Sequence, residues 1–344
     1  MALKLKNAEL CYLLAFPDVS EDTGEAPEQI RGLKDAPYFQ PVDISVRTLT
    51  GGTKFFVAEV EGTAVCQRYD ERVQIVECRF ILDDPLSLRA RAAVEKALQE
   101  KFVPAKYRMD GMFEEYAVLL LKTVNPSPDG FVNKNAATLA RFIRAQRETF
   151  DEREINAILS SRIRYSNADL TLVDWQAAII IAPEGDFQSD LELLKIGNYQ
   201  LLRYRMLDEN VESSLRSIGE QFRASPHRAF RPGPSRGQIR RIVQHRLELM
   251  LDFEHTDQNL LLIGDWYTSQ LYHAIQDEFY LKEWKDAVRA KLDNLEDLIQ
   301  TIQENFSLSW QSLMETVQIT GWLILLIGYF ILFFLESSGS LRSH

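Results

Sequence analysis

Four side chains of a predicted helix have the types and the spacing of a metal site. His245, Glu248, Asp252 and His255 follow one another at steps of three, four and three residues, which keeps them within about 80° on one helix face. Imidazole and carboxylate groups at such spacing bind metals in helical bundles. The same face points away from the apolar residues of that helix, however, and solvent faces collect charged residues in any case. The spacing therefore leaves two hypotheses, a metal-dependent enzyme and a solvated helix face.

Other chemistry has less support in the sequence. No GxGxxG, GxxxxGK[ST] or HExxH motif occurs. The three cysteines lie within residues 1–185, whereas every histidine lies beyond residue 220, so no Cys–His nucleophile pair is indicated. Asp110, Glu114 and Glu115 could form a carboxylate cluster, but adjacent carboxylates at the entrance of a strand are usually just exposed. We therefore predict no catalytic residue and no cofactor, and we favour a protein that is not an enzyme.

One stretch of the chain carries basic charge alone. Between Glu220 and Glu248 there is no acidic residue. A solvated basic linker is one interpretation. The other is an arginine collar at a membrane surface, where each basic side chain adds about 1 kcal/mol of attraction to anionic lipid head groups. The arginine collar comprises Arg223, Arg228, Arg231, Arg236, Arg240, Arg241 and Arg246.

A long uncharged segment lies near the end of the sequence. The twenty residues Thr316–Leu335 contain no Asp, Glu, Lys, Arg or His, and a helix of that length spans roughly 30 Å, the thickness of the hydrocarbon core of a bilayer. Nine residues follow it. We predict a single transmembrane helix, residues 316–335, and a short tail, residues 336–344. This arrangement is a tail anchor, with the bulk of the chain in the cytoplasm.

Residues 1–185 predict an α+β cytosolic domain. A helix is expected to open at Asp84-Pro85 and to run to about Phe102, and further helices fit Asn135–Phe150 and Asp151–Ile163. A hairpin turn is expected at Gly51-Gly52. Apolar or alternating runs predict strands at Leu10–Phe16, Val42–Leu49, Phe55–Val60, Val73–Leu82, Tyr116–Thr123 and Leu170–Ala182.

The remainder predicts long helices. Residues 186–223 form an amphipathic helix, residues 224–237 an Arg/Pro-rich loop, and residues 238–315 an antiparallel helical hairpin, the stalk, which breaks near Glu278–Tyr280. Its two arms carry apolar seams with the 3.5-residue average of a coiled coil, completed within the chain or by neighbouring subunits. The seams are Leu249, Phe253, Leu260, Ile263, Tyr267 and Ala274, and Val288, Leu292, Leu295, Ile299, Ile302, Phe306 and Leu313.

The hairpin fixes an expected register. Folding back near Phe279 places Arg240 and Arg241 opposite Gln318 and Val317, beside the predicted span. The arginine collar would then lie at the membrane surface and would supply the positive charge that favours a cytoplasmic location.

Two stretches carry a resemblance to known proteins. Tyr165–Ala182 contains an Asp-Trp pair, and Leu193–Leu215 contains an Asn-x-x-Leu-Leu-x-x-Arg-x-x-Asp pattern. Together they resemble a group of uncharacterised bacterial membrane proteins that are anchored at the C-terminus. The stretch Ile263–Ile302, with the predicted span after it, is similar to the same group and distantly similar to the meiotic-division-related family. The resemblance implies a membrane-attached organiser and brings no catalytic residue. Its pattern positions are Asp174, Trp175, Asn198, Arg205 and Asp208.

These observations favour a tail-anchored, non-enzymatic scaffold or recruitment module. Its partners would be the lipid bilayer, through the arginine collar, and a protein or further copies of the chain. The net charge of −11 argues against a nucleic-acid binder. The alternative is an oligomeric cation channel, because the outline resembles CorA-type magnesium transporters, although the Gly-Met-Asn loop and the second span of that family are missing. The second alternative is the membrane-bound metal-dependent enzyme.

Overall fold

The computed structural model describes residue 5 and residues 8–18, 28–29, 44–223, 236–258 and 266–340. The chain forms two compact units. The first contains Met1–Asn210 and Leu251–Arg289, and the second contains Val211–Met250 and Ala290–His344. This division differs from the boundary expected at Gly185, because helical segments beyond that residue pack on the sheet of the first unit.

A nine-stranded sheet, counted over the described residues, forms the centre of the first unit. Its strands are β1 (Glu9–Pro17), β2 (Glu28–Gln29), β3 (Ser45–Val57), β4 (Val60–Tyr69), β5 (Val73–Ile81), β6 (Glu114–Leu121), β7 (Arg162–Ile163), β8 (Leu170–Val173) and β9 (Ala177–Ile181). They lie in the order β2-β3-β4-β5-β1-β6-β9-β8-β7. Neighbouring strands are antiparallel except β6 and β9, which are parallel.

Helices pack on both faces of this sheet. One face contacts five short helices, which share a core with it, and the other contacts the first part of α6 together with α8. The helices of the chain are α1 (Leu88–Phe102), α2 (Ala105–Asp110), α3 (Pro128–Lys134), α4 (Ala136–Ile143), α5 (Glu152–Ile158), α6 (Gln188–Arg223), α7 (Arg236–Gln258), α8 (Trp266–Glu278) and α9 (Leu281–Ser340).

The apolar run of β1 follows from this two-sided burial. Side chains of a strand alternate between the two faces of a sheet, so Tyr12 and Leu14 enter the core on the α1–α5 side, while Cys11 and Leu13 point to the other face. All four are at least 98% buried. A strand covered on both faces needs apolar residues at nearly every position, which is why Leu10–Phe16 shows no polar alternation.

The predicted hairpin turn at Gly51-Gly52 is wrong. β3 continues through both glycines, with register shifts against β4 between Thr48 and Thr53, and Gly52 adopts a φ of +62° there. The turn lies at Ala58-Glu59, where φ is +47° and +66°. Two consecutive left-handed residues are typical of the hairpin turn that matches strand twist, but Ala-Glu is not a usual sequence for it.

Several predicted elements have different bounds in the structure. The expected strand Leu170–Ala182 is the hairpin of β8 and β9. The expected helix at Asp84-Pro85 begins at Leu88, because the Ser87 side chain accepts a hydrogen bond from the Ala90 amide and caps it. The helix expected over residues 135–150 ends at Ile143, and the one expected over residues 238–277 is divided into α7 and α8.

The second unit contains the end of α6, the first part of α7 and most of α9. Predicted seam residues such as Leu249, Leu295 and Ile302 are buried there, but so are Val211 and Ile218 of α6. Three helices therefore bury this seam, and a two-helix coiled-coil hairpin is not confirmed. Leu260 and Ile263, and the side chains of Phe306 and Leu313, lie outside the described part.

The predicted register of the stalk is also wrong. It would place Arg246 opposite a residue near position 312, whereas Arg246 forms an ion pair with Glu296, sixteen residues earlier on α9. Lys291 of α9 pairs with Glu212 of α6 at 3.1 Å. The helix α6 therefore also takes part in this packing. Because the arrangement is not one of two helices alone, simple folding back near Phe279 gives the wrong partners.

The last part of α9 is apolar and exposed. Met314–Leu332, nineteen residues with a mean hydropathy of 1.6, has no residue that is buried within the protein. By length and composition it is one candidate membrane-spanning helix among the described residues, in agreement with the segment predicted from the sequence.

Candidate ligand-binding site

A cavity of about 230 Å³ opens in the first unit where β6 begins. Its walls come from the strands β1 and β6, the helices α1 and α6, the turn between β8 and β9, and the segment after α8. Carboxylate and aromatic side chains are prominent among the lining residues, which include Tyr12, Arg91, Glu95, Glu114, Glu115, Tyr116, Trp175, Gln176, Asn198, Leu201 and Phe279.

The pairing of β6 explains why a cavity forms at this point. β6 pairs with β1 from Glu114 onward, but its pairing with β9 starts only at Ala117. The first three residues of β6 therefore have no strand beside them on the β9 side among the described residues. Trp175 and Gln176, in the turn that leads into β9, line the space that this offset leaves.

Strand alternation brings acidic side chains to the cavity from both faces of the sheet. Glu114 points toward α6, and Glu115 points toward α1. Glu114 forms an ion pair with Arg205 of α6. Glu115 accepts hydrogen bonds from Tyr12 of β1 and from Gln99 of α1. The two adjacent carboxylates therefore have different partners, a charged one for Glu114 and neutral ones for Glu115.

Both arginines beside the cavity are held by several acceptors. Arg91 pairs with Glu95 one helical turn away, donates to the Phe142 carbonyl at 2.6 Å, and lies 4.6 Å from the centre of the Phe142 ring. Arg205 pairs with Glu114 and also donates to the Gly111 carbonyl at 2.7 Å. Because these contacts hold each guanidinium in place, neither arginine can move to pair with a ligand.

Two of the carboxylates, Glu95 and Glu114, have a raised pKa. Burial is the largest cause for Glu95 and Glu114, and the negative charge of Glu115 adds to it; Arg91 and Arg205 oppose the rise, but the pKa of both groups stays above its ordinary value. Burial and the charges of Glu115 and Glu95 likewise raise the pKa of Tyr12. Three carboxylates and two guanidiniums thus leave the cavity with an excess of negative charge.

Asn198 presents a carboxamide to the cavity from α6. Its residue is 2% exposed, and its side-chain nitrogen donates to the Leu194 carbonyl at 2.8 Å. Among the described residues, no donor reaches its side-chain oxygen. Because Asn198 lines the cavity, this oxygen is an acceptor that is available to a ligand there.

Aromatic rings form the opposite side of the cavity. The Tyr116 ring lies 5.0 Å from that of Phe279, and its hydroxyl donates to the Asp174 carbonyl at 2.7 Å. The Trp175 ring contacts the Tyr280 ring, with centres 5.6 Å apart and an angle of 60° between the ring planes. Trp175 is 38% exposed, so it stands at the mouth, whereas Tyr116 and Phe279 are buried.

A second pair of carboxylates lies behind this aromatic wall. Asp174 forms an ion pair with Arg144 at 2.9 Å, yet burial keeps the pKa of Asp174 above its ordinary value. Burial and the neighbouring charge of Asp174 raise the pKa of Glu278, the last residue of α8, to about 7. This pair therefore changes charge near neutral pH.

The pattern positions of the resemblance converge on the cavity. Trp175 and Asn198 line it, Arg205 pairs with Glu114, and Asp174 accepts from Tyr116. Asp208 lies one turn beyond Arg205 on α6 and does not line the cavity. Sequence reasoning missed Tyr12, Arg91, Glu95 and Phe279, which enter from elements distant in sequence; the available signal was the Glu114-Glu115 pair at a strand entrance.

The side chains of the hypothetical metal site do not form a cluster. Among the described residues, no group of three or more His, Cys, Asp or Glu side chains is placed to hold a metal ion. His245 and Glu248 are 3.7 Å apart and about half exposed or more. Asp252 pairs with Arg203 instead, and His255 is exposed near the end of α7.

The described residues of the arginine collar differ in their position and in their contacts. Arg223 ends α6 and Arg236 begins α7, while Arg228 and Arg231 lie outside the described residues. Arg246 is engaged by Glu296. Contact of the collar with lipid stays a prediction, which now depends on two exposed members of α7, Arg240 and Arg241.

Comparison with known proteins gives two matches. Residues 61–188 match the family model described as "Uncharacterized protein MJ0711, N-terminal domain". Uncharacterized protein MJ0711 of Methanocaldococcus jannaschii is 25% identical over 210 residues, 61% of this chain and 64% of that relative. The chain thus spans slightly less than two thirds of the relative's length. No solved structure matches.

These matches support a resemblance to an uncharacterised family, and they say nothing of bacterial membrane proteins or of the meiotic-division-related family. The stretch matched by the family model includes the cavity residues of α1, of β6 and of the turn before β9. Tyr12, Asn198 and Phe279 lie outside it.

Proposed function

We propose that this protein is a single-pass membrane protein whose first unit recruits a partner at the cytosolic face of the membrane. The observation that carries the proposal is α9, a single helix of 60 residues. It begins with buried seam residues and ends in the exposed apolar segment Met314–Leu332. Apolar surface of this extent is unfavourable in water, and a bilayer removes it from water without any change in the helix.

An aromatic surface supports the recruitment role. The Trp175 and Tyr280 rings contact each other and remain 38% and 54% exposed. Tyr280 lies directly between α8 and α9, in the aromatic stretch Asp277–Trp284. Tryptophan and tyrosine are enriched among the residues that dominate binding at protein interfaces. We infer that this aromatic pair is part of the surface that a protein partner contacts.

Lysines placed in the middle of the apolar segment test the membrane attachment. A charged residue at the centre of a span costs about 2.5–3.5 kcal/mol, so Leu323→Lys with Ile324→Lys should move the protein from the carbonate-resistant membrane pellet into the supernatant. Leu323→Ile with Ile324→Val keeps the segment apolar and should leave the protein in the pellet. Equal behaviour of the two variants would contradict attachment through this segment.

Site-specific cross-linking tests the recruitment. A photo-reactive amino acid at Tyr280 should form a cross-link to a second protein in cells, because the aromatic pair would lie in the interface. The same group at Phe56, which is 70% exposed in the β3–β4 hairpin, serves as the control and should give no such product. If Tyr280 and Phe56 give the same pattern, the recruitment surface is not where we propose it.

A further inference from the structure

The cavity at the start of β6 has an excess of acidic side chains, which favours the binding of a cation. Three carboxylates, Glu95, Glu114 and Glu115, face two arginines that are already held in place. Glu115 is the carboxylate whose described partners are both neutral, Tyr12 and Gln99. A positive charge in the cavity would relieve the mutual repulsion of these groups. One uncompensated carboxylate corresponds to one positive charge on the ligand.

Asn198 provides an observation that is independent of the acidic residues. It is only 2% exposed, it lines the cavity, and its carbonyl oxygen accepts no hydrogen bond from the described residues. An N–H donor on a ligand would satisfy this oxygen, so the cavity suits a ligand that brings a donor as well as a positive charge.

The rest of the lining is apolar and aromatic. Tyr116, Phe279 and Leu201 are buried in the wall, and Trp175 stands at the mouth. Aromatic faces attract cations within about 6 Å and also contact apolar groups. The volume of about 230 Å³ is below the range of about 300–1,000 Å³ that holds drug-sized ligands, so the ligand is small.

These features together define the ligand class. We propose that the cavity binds a small organic cation, a single protonated amine on a short apolar body, with Glu115 and Asn198 receiving its N–H groups and the aromatic wall contacting the body. A bare divalent metal fits less well. Ca²⁺ prefers about six to eight oxygen ligands, whereas Glu95 and Glu114 are committed to arginines, which leaves Glu115, Asn198 and Gln176 as the main sources of oxygen ligands. This proposal goes beyond the recruitment role and does not depend on it.

Calorimetric titration of the full-length protein in detergent tests the proposal. The probes are butylamine, isoamylamine and phenethylamine, with 2-phenylethanol as the neutral counterpart of the last and MgCl₂ as the metal probe. We expect at least one amine to bind one molecule per chain with a Kd below about 1 mM, and the alcohol and Mg²⁺ not to bind. Failure of all three amines to saturate, or saturation by Mg²⁺ alone, would overturn the proposal.

A matched pair of variants locates the binding. Glu115→Gln removes the negative charge but retains the shape and the hydrogen bonds of an exposed side chain, so the fold is expected to be unchanged. It should weaken amine binding about tenfold or more, since a hydrogen bond to a charged group contributes about 1.5–3 kcal/mol. Glu184→Gln, at an exposed position just beyond β9, should bind as the wild type does. Equal affinity of the two variants would place the amine elsewhere and refute the assignment.

Discussion

At the scale of single residues, Glu278 is the group whose charge should affect the fold near neutral pH. It is half-buried, and its pKa is raised from 4.5 to about 7 by burial and by Asp174. The folded state therefore holds its proton more tightly than the unfolded state does. The stability that this proton contributes is present below about pH 4.5 and is lost as the pH rises through about 7.

The substitution Glu278→Gln mimics the protonated form at every pH. We expect the variant and the wild type to have equal free energies of unfolding near pH 4.5, and the variant to be more stable by about 1–2 kcal/mol at pH 8. The full shift would correspond to a larger difference, but solvent screens a half-exposed carboxylate. Denaturant titrations at several pH values measure it, with Glu283→Gln, an exposed neighbour, as the control. A difference that does not grow between pH 5 and pH 8 would contradict the assignment.

The burial of Lys195 could not be predicted from the sequence. Lys195 lies in an amphipathic helix, and its type suggests a solvent-facing position. It is 1% exposed instead, and its ammonium group binds Glu192 at 2.6 Å, Gln67 at 2.9 Å and Glu77 at 3.0 Å. A lysine is buried only where acceptors from other elements surround it, and a single sequence does not show which elements meet.

At the scale of elements, Gly197 sets how closely α6 approaches α8. A Cβ atom at this position would lie 2.4 Å from Ile275 Cγ2 and 3.2 Å from the Phe279 ring. In a helix, alanine is more favourable than glycine by about 1 kcal/mol. Here the close contact outweighs this preference and makes the substitution destabilising, because both neighbours are buried and cannot shift at low cost. Gly197→Ala should therefore destabilise the first unit by about 1–3 kcal/mol.

The same helix contains a matched control. A Cβ atom at Gly219 would have no atom of the described residues within 4 Å. Gly219→Ala should therefore change stability only through the higher helix propensity of alanine, and raise it by up to about 1 kcal/mol. Thermal unfolding followed by circular dichroism compares the two variants with the wild type. If Gly197→Ala were as stable as Gly219→Ala, the close approach of α6 and α8 would not be correct.

Elements with strong local signals could be predicted from the sequence. β1, β5, α6 and the continuous α9 each follow from an apolar run or a long amphipathic period. The β3–β4 turn at Ala58-Glu59 could not, because its left-handed conformation is imposed by the pairing of two long strands and not by the residues usual in such turns.

At the scale of the whole molecule, the cavity could be predicted only in part. The pattern positions Asp174, Trp175, Asn198 and Arg205 all lie at or next to it, although the sequence offered no reason for them to be close. Their convergence depends on the pairing offset between β6 and its two neighbours, which is a property of the assembled sheet. The predicted register of the stalk is wrong because it, too, depends on how the elements assemble. The helix α6 takes part in packing that the sequence suggested for two helices alone.

The number of chains in the assembly separates the recruitment module from an oligomeric pore. A pore of four or more single spans needs a polar face toward the channel. Within residues 316–332, which include no charged side chain, the side chains are mostly apolar, and the Thr320 hydroxyl already donates to the Thr316 carbonyl at 2.8 Å, which leaves Gln318 as the main polar candidate. We therefore expect light scattering of the detergent-solubilised protein to give the mass of one or two chains. A closed assembly of four or more would contradict the recruitment proposal and favour a channel, and Gln318→Leu would then show whether that polar side chain is needed for conduction.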